Sequence, residues 1–116
     1  MSRRTQRVEE EIRAGVSSIL QRQLRDPRLG FVTVTGVSVT PDLSHARIFV
    51  SVLGTDIQRK QSLDGLHSAR GFIRSELAHT MRTRVVPDLK FEEDTTSIIG
   101  QRIDELIEQI GHPESD

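Results

Sequence analysis

The chain has 116 residues, no cysteine and a formal net charge of −1 at pH 7. This length suits one domain with its own hydrophobic core, and the absence of cysteine excludes disulfides and thiolate chemistry. No apolar run approaches the roughly 18 residues of a membrane-spanning helix, and the Arg-rich N-terminus lacks the apolar segment of a secretory signal. We therefore expect a single cytoplasmic domain over residues 1–116, with residues 111–116 as a flexible tail.

Charge is unevenly distributed along the chain. Residues 59–90 carry seven Lys or Arg against three acids, whereas residues 91–116 carry one Arg against eight acids. A basic body with an acidic end is typical of a nucleic-acid-binding face combined with a solvated or partner-facing end. A charge run can also be an ordinary solvated surface.

The first predicted element is an amphipathic helix from about Arg4 to Arg25. Pro27 ends it, because proline cannot continue a helix and disfavours helical backbone in the preceding residue. Its apolar residues recur at helical spacing, at Val8, Ile12, Val16, Ile19, Leu20 and Leu24.

A β-hairpin follows the first helix. Phe31–Thr40 is rich in Val and Thr, as strands are, and its apolar positions change parity across Thr35–Gly36, as a β-bulge would produce. Thr40–Asp42 reads as a turn, and alternating apolar residues predict a second strand over Ala46–Gly54. Because the connection is short, the two strands should pair antiparallel.

After a polar connection, Thr55–Gln61, the stretch Ser62–Pro87 predicts one long helix with a break in its middle. Gly71 interrupts the apolar pattern, and glycine in a helix costs roughly 1 kcal/mol relative to alanine. One explanation for the glycine is a kink that exposes backbone N–H groups to a phosphate. The other is close packing of the helix on a sheet. The apolar stripe comprises Leu63, Leu66, Ala69, Ile73, Leu77 and Met81.

The last two predicted elements are a short strand over Asp88–Glu93 and a helix over about 98–110. The helix has an apolar stripe, and Gly111 and Pro113 terminate it. The stripe consists of Ile99, Ile103, Leu106, Ile107 and Ile110. The order α-β-β-α-kink-α-β-α predicts an α+β domain with helices packed on a three-stranded sheet.

The sequence offers little for catalysis or for a cofactor. The four histidines, at 45, 67, 79 and 112, are scattered over separate elements, and neither G-x-S-x-G nor a phosphate-binding glycine loop is present. Glu92, Glu93 and Asp94 could hold a divalent ion, as in a nuclease, but acids before a helix are also ordinary partners of its dipole. We therefore predict no catalytic residue, no metal and no cofactor.

Nucleic-acid binding is the function that the charge pattern favours. The chain has no Trp or Tyr, and its four Phe fall mostly in core-like positions, so contacts to the backbone should dominate over base stacking. In the alternative that these basic residues form an ordinary solvated surface, Arg74 pairs with Glu76 or Asp64. The predicted RNA-binding residues are Arg70, Gly71, Arg74, Arg59, Lys60, Arg82, Arg84, Arg3, Arg4 and Arg7.

Several short motifs are found along residues 5–110. Their order and spacing resemble those of the ribosome-binding factor A family. Ala69-Arg70-Gly71 stands where a type II KH domain has its GXXG loop, and this helix–kink–helix is similar to that of the family. The other matching stretches are Arg7-Val8 with Glu11-Ile12, Leu24-x-Asp26-Pro27-Arg28-Leu29-Gly30, Val32-Thr33-Val34, Asp42-Leu43-Ser44-x-Ala46, Val50-Ser51-Val52-Leu53-Gly54, Gly71-Phe72-Ile73-Arg74-x-Glu76-Leu77 and Arg84-x-x-Pro87-x-Leu89-x-Phe91-x-x-Asp94.

The resemblance implies a type II KH-like fold and a non-enzymatic role. It implies binding to the small ribosomal subunit and its rRNA during late maturation, support for 5′-end processing of that rRNA, and importance for growth in the cold. We expect a monomer with no membrane association and no small-molecule substrate. The alternative is a protein-interaction module that docks a basic partner through the acidic helix 98–110.

Overall fold

A computed structural model describes residues 3–22, 30–82 and 85–95. It confirms the α+β class and the predicted order of elements within these ranges. The final helix and the tail predicted after residue 95 lie outside the described residues, as does the predicted end of the first helix at Arg25. The elements are α1 (Arg3–Arg22), β1 (Val32–Val39), β2 (His45–Val52), α2 (Asp56–Ser68), α3 (Arg70–Thr80) and β3 (Asp88–Glu93).

The three strands form a mixed sheet in the order β1-β2-β3. β1 and β2 pair antiparallel, with a register shift between Val34 and Gly36, which confirms both the hairpin and the bulge. β2 and β3 pair parallel, starting with His45 opposite Asp88. A parallel pair needs a crossover connection, and α2 and α3 together provide it.

The helices and one face of the sheet enclose a single apolar core. Burial of Leu66, Ile73 and Leu77 confirms the central part of the stripe predicted for the broken helix. No helix in the described ranges is long and apolar enough to cross a bilayer. The core also includes Val8, Ile12, Val16, Val34, Val39, Ala46, Ile48, Val50, Leu89 and Phe91.

The broken helix starts earlier than the sequence predicted. α2 begins at Asp56, so the assignment of Thr55–Gln61 to a polar connection is wrong. The reason is a capping box, in which Thr55 Oγ1 accepts from the Gln58 amide at 3.2 Å and Gln58 Oε1 accepts from the Thr55 amide at 2.8 Å. These two bonds satisfy backbone donors that a helix start otherwise leaves unpaired.

The break itself lies at Ala69, between α2 and α3, and Gly71 lies in the first turn of α3. A Cβ atom placed on Gly71 would meet nothing within 4 Å. Close packing on the sheet is therefore the wrong explanation for this glycine. At Gly15 the same Cβ would lie 2.5 Å from Leu77 Cδ2, so it is there that a glycine lets α1 approach α3.

Candidate nucleic-acid interface

A groove of about 770 Å³ lies at the end of the sheet where β2 and β3 begin and α2 ends. It shares Arg70, Asp88 and Leu89 with a second hollow of about 400 Å³ that reaches Gly71 and Arg74. We call the two together the basic groove. The larger part is lined by Ser38, Val39, Thr40, Pro41, His45, Ala46, Arg47, His67, Arg70, Asp88, Leu89 and Lys90.

Positive charge predominates in the basic groove. Four cationic side chains line it, whereas Asp88 is the one acid among the described residues that line it. The imidazoles of His45 and His67 line it as well. Cations gathered around a concave surface attract and orient polyanions. The four cations are Arg47, Arg70, Arg74 and Lys90.

The predicted RNA-binding residues did not include four residues that line this groove: Arg47, Lys90, His45 and His67. The parallel register sets Arg47 opposite Lys90 and His45 opposite Asp88, whereas His67 comes from the end of α2. The alternation along β2 indicated that residues 45 and 47 share a face. It carried no information about which strand would lie beside them.

Part of the charge on this surface is already neutralised. Arg47 Nη2 lies 2.5 Å from Glu92 Oε2, and the Arg47 guanidinium lies 5.1 Å from the centre of the Phe49 ring. The hydrogen bond and the charge attraction between Arg47 and Glu92 raise the pKa of Arg47 and lower that of Glu92. Lys90 Nζ lies 3.6 Å from the same carboxylate. Glu92 therefore holds both cations in place along the open face of the sheet.

Arg70 and Arg74, which the sequence placed at the centre of the RNA-binding face, differ in their surroundings. Arg74 donates from Nη2 and Nε to the Val86 carbonyl, at 3.0 and 3.3 Å, and its Nη1 lies 3.5 Å from Asp88 Oδ1. Neither Glu76 nor Asp64 is its partner. Arg70 is exposed and makes no ion pair within the described residues. Its guanidinium therefore has its donors available for a phosphate.

The backbone at the start of α3 is open beside these side chains. α3 has Ala69 as its N-cap residue, and no side chain caps it. Gly71 lines the groove and carries no side chain that would keep a ligand at a distance. Helix N-termini attract anions through their unpaired N–H groups and the helix dipole. The Ala69–Gly71 kink motif therefore combines the positive end of the α3 dipole with the charge of Arg70.

Other predicted RNA-binding residues lie elsewhere. Arg59 is largely buried, with 19% of its side chain exposed. It contacts Asp56, donates to Glu93 Oε1 at 3.1 Å and to the Gly54 carbonyl at 3.1 Å, so it fastens the start of α2 to the end of β3. Lys60 lies in the second turn of α2 and Arg82 follows the end of α3; both are exposed, and neither lines the basic groove. Arg84 lies outside the described residues.

The three arginines of α1 that were predicted to bind RNA are at the same end of the sheet as the basic groove. Glu9 Oε2 accepts from the Val39 amide at 2.9 Å, which places the start of α1 next to the end of β1. Arg3, Arg4 and Arg7 precede Glu9 and are exposed.

The acidic residues that the sequence offered as a divalent-ion site have protein partners instead. Glu92 pairs with Arg47, Glu93 pairs with Arg59, and Asp94 Oδ2 accepts from Thr35 Oγ1 at 2.7 Å. No group of three or more His, Asp or Glu in the described ranges is arranged to hold a metal ion. These carboxylates stabilise the end of β3.

The phenylalanines differ in burial. Phe91 is buried in the core, which confirms the prediction for this residue. Phe49 is half-buried, but its ring lies against Arg47 and is not part of the core cluster. Phe72 is 46% exposed and Phe31 is 79% exposed, so the prediction is wrong for these two. Phe72 follows Gly71 directly and is an exposed ring next to the kink motif.

The turn between β1 and β2 forms one wall of the groove through Thr40 and Pro41. Asp42 Oδ1 accepts from Ser44 Oγ and Thr40 Oγ1, both at 2.7 Å, and from the Ser44 amide at 3.1 Å. These bonds lower the pKa of Asp42 to about 2. They also support a positive φ of 60° at the buried Leu43, a backbone conformation that a branched residue rarely adopts.

Comparison with known proteins matches this architecture to one family. The family model described as Ribosome-binding factor A matches residues 4–107. A ribosome-binding factor A from Macrococcus caseolyticus is 47% identical over 95% of this chain and 96% of its own length. The solution structure of a Thermotoga maritima protein described as a putative ribosome-binding factor A has a TM-score of 0.72 and 39% identity, covering 83% of this chain and 92% of that one.

A third similar structure is a model of the Thermus thermophilus ribosome-binding factor A, fitted into a cryo-EM map of its complex with the 30S subunit. It has a TM-score of 0.66 and 27% identity, covering 78% of this chain and 94% of that one. The family model and the Macrococcus relative both cover most of the chain. The chain therefore belongs to the ribosome-binding factor A family.

Proposed function

We propose that this protein is a ribosome assembly factor that binds the small ribosomal subunit through its rRNA during late maturation. The basic groove makes the contact, and binding supports processing of the 5′ end of that rRNA. The protein acts in the cytoplasm as a monomer, without cofactor or substrate turnover. The observation that carries this proposal is the uncapped start of α3, where Arg70 and Gly71 lie in a groove lined by four cations.

The chemistry of the groove suits an RNA backbone. Phosphates of a folded RNA are regularly spaced anions, and Arg side chains and helix N-termini are their usual protein partners. Arg70 would donate to a phosphate while the open backbone at Gly71 allows the ribose–phosphate chain to approach. Arg74 and Lys90 add positive potential, and Arg3, Arg4 and Arg7 extend it along α1. We leave out Arg59, because its donors already have partners.

A binding role without catalysis is supported by how the acidic residues are used. A nuclease of the divalent type needs carboxylates that are free to hold ions. In this protein Glu92, Glu93 and Asp94 each accept from a neighbouring side chain.

The direct test reverses the charge of one groove residue. Arg70→Glu should weaken binding to immature small subunits, because it removes a phosphate contact and adds repulsion. Each lost contact should reduce the slope of log K against log salt by about 0.7–0.9. Binding is measured by co-sedimentation or fluorescence anisotropy over a range of salt concentrations. Thermal unfolding should not change, since Arg70 has no ion pair within the described part of the chain.

Lys60→Glu is the matched control. It makes the same change of charge on the same helix pair, at another exposed cation about 15 Å along the helix from Arg70. We expect its affinity and salt slope to remain close to those of the unmodified protein. If Lys60→Glu weakened binding as much as Arg70→Glu, binding would depend on overall charge and not on the basic groove. A folded Arg70→Glu protein with unchanged affinity would contradict the proposal.

A further inference from the structure

Three large apolar side chains are exposed at the end of the sheet opposite the basic groove. Phe31 is 79% exposed, and Leu53 and Ile57 are each 71% exposed. Leu53 follows β2 and donates its amide to the Phe31 carbonyl at 3.1 Å, while Ile57 lies in the first turn of α2. The Gly30 amide donates to Ser62 Oγ at 3.2 Å, which ties the start of β1 to α2. We call Phe31, Leu53 and Ile57 the apolar end patch.

The chain leaves the sheet at this same end. Glu93, the last residue of β3, lies opposite Val50. The Asp94 amide then donates to the Val50 carbonyl at 2.7 Å. Val50 is three residues before Leu53, so everything after Thr95 starts beside the apolar end patch.

The sequence after Thr95 has an apolar stripe that requires a partner. Five aliphatic residues recur at helical spacing between 99 and 110, and most other positions are polar or acidic. A helix of about 12 residues is marginally stable in water by itself, so such a stripe forms a helix when it packs on another apolar surface. The five residues are Ile99, Ile103, Leu106, Ile107 and Ile110.

We propose that the apolar stripe of residues 99–110 packs as a helix on the apolar end patch of its own chain. Surface patches of this kind mark interaction sites, and this patch lies where the segment begins. The apolar face of the segment would cover Phe31, Leu53 and Ile57, and its acidic face would remain in solvent. The acidic segment is thereby held at the opposite end of the domain from the basic groove, which stays open to a polyanion.

The competing arrangement places the acidic segment in the basic groove by charge attraction. The basic groove is within reach of the segment, because β3 spans about 20 Å and the eight residue-to-residue steps from Thr95 to Ile103 extend to about 27 Å. This arrangement would, however, require extended backbone and would leave the five aliphatic side chains in water. Burial of these side chains favours the apolar end patch, since aliphatic side chains are more stable when they are removed from water.

Because the chain has no cysteine, a pair of introduced cysteines tests the proposal in the full-length protein. The first double variant combines Leu53→Cys and Ile103→Cys. It places one thiol in the apolar end patch and one in the apolar stripe of residues 99–110. Ser38→Cys with Ile103→Cys is the matched control, because Ser38 is exposed and lines the basic groove. Mild oxidation of dilute protein is followed by non-reducing electrophoresis and mass spectrometry.

The first pair should form an intramolecular disulfide several-fold faster than the control pair. High salt should not slow it, because apolar contact is not screened. Equal rates in the two pairs, including failure of both, would overturn the proposal, and a faster control pair would place the segment in the groove. Disulfide-linked dimers as the main product of the first pair would assign the patch to a second copy of the chain.

A thermodynamic cycle gives an independent measurement. Phe31→Ser should lower the unfolding midpoint of the unmodified chain, because it removes part of the surface under the helix. In an Ile103→Ser/Ile107→Ser background the same change should have little effect, since the helix is already undocked. Equal effects of Phe31→Ser in both backgrounds would contradict the proposal.

Discussion

The Arg74 guanidinium donates two hydrogen bonds to the carbonyl oxygen of Val86, at 3.0 and 3.3 Å. This contact joins α3 to the segment that enters β3, and Asp88 Oδ1 lies 3.5 Å from the same side chain. Val86 is nearly fully buried. Arg74 therefore stabilises the fold in addition to lining the basic groove.

Arg74→Ala should destabilise the domain by about 1–2 kcal/mol, because the Val86 carbonyl loses two charge-assisted donors. Thermal or urea unfolding measures the change. Arg70→Ala is the control, since Arg70 has the same charge and neighbours the same groove but makes no ion pair within the described residues. Equal losses in the two variants would show that the Val86 contact contributes nothing particular.

Gly71→Ala should stabilise the protein by up to about 1 kcal/mol, because alanine is the better helix former and the added Cβ meets no atom within 4 Å. The same variant should bind immature small subunits less tightly, since the methyl group lies where the RNA backbone would approach. Unfolding and binding are measured on the same preparation. A variant that is more stable and binds equally well would remove Gly71 from the RNA contact.

Gly15→Ala should lower stability in spite of the same gain in helix propensity. Its Cβ would lie 2.5 Å from Cδ2 of the fully buried Leu77, and overpacking of a core costs about 1–3 kcal/mol. The unfolding midpoints of the two Gly→Ala variants should therefore move in opposite directions. A rise in the midpoint for Gly15→Ala would mean that Leu77 can move aside at little cost.

Thr55→Ala should cost about 1 kcal/mol of stability, because the Gln58 amide loses its capping acceptor. Gln58→Ala removes the reciprocal bond to the Thr55 amide and should cost less, since that amide can bond to water. Urea unfolding with a two-state fit gives both values. If neither variant changed the midpoint, the capping box would not explain why α2 begins at Asp56.

Asp42 should make stability depend on pH in the acid range. Its pKa is about 2 in the folded protein instead of 3.8, because Ser44 and Thr40 donate hydrogen bonds to the ionised carboxylate. A group with a lowered pKa stabilises the fold above its unfolded value, and this contribution is lost as pH falls from about 4 towards 2. Asp42→Asn should therefore melt below the unmodified protein at neutral pH.

The difference in melting temperature between Asp42→Asn and the unmodified protein should shrink between pH 4 and pH 2. Thermal scans at several pH values measure it. A difference that stays constant over this range would show that Asp42 acts through the geometry of the turn and not through its charge.

The sequence alone determined the α+β class, the bulge and the order of the elements from α1 to β3. These features depend on residues close together in the chain: apolar spacing in α1 and α3, alternation in β2, and the parity change across Thr35–Gly36. The family resemblance also rests on local motifs such as Ala69-Arg70-Gly71. The start of α2 was within reach of the same reasoning, because T-x-x-Q at Thr55–Gln58 is a capping-box pattern.

Only the tertiary structure decided which charged residues lie together. The parallel pairing of β2 with β3 sets Arg47 beside Lys90, and the crossover brings Arg70 to the same end of the sheet. The same folding pairs Arg59 with Glu93, 34 positions away in the sequence. It also brings Arg74 to the carbonyl of Val86, 12 positions away. A sequence shows where basic residues occur along the chain. Whether each of them is available to a ligand depends on long-range contacts that form when the strands pair.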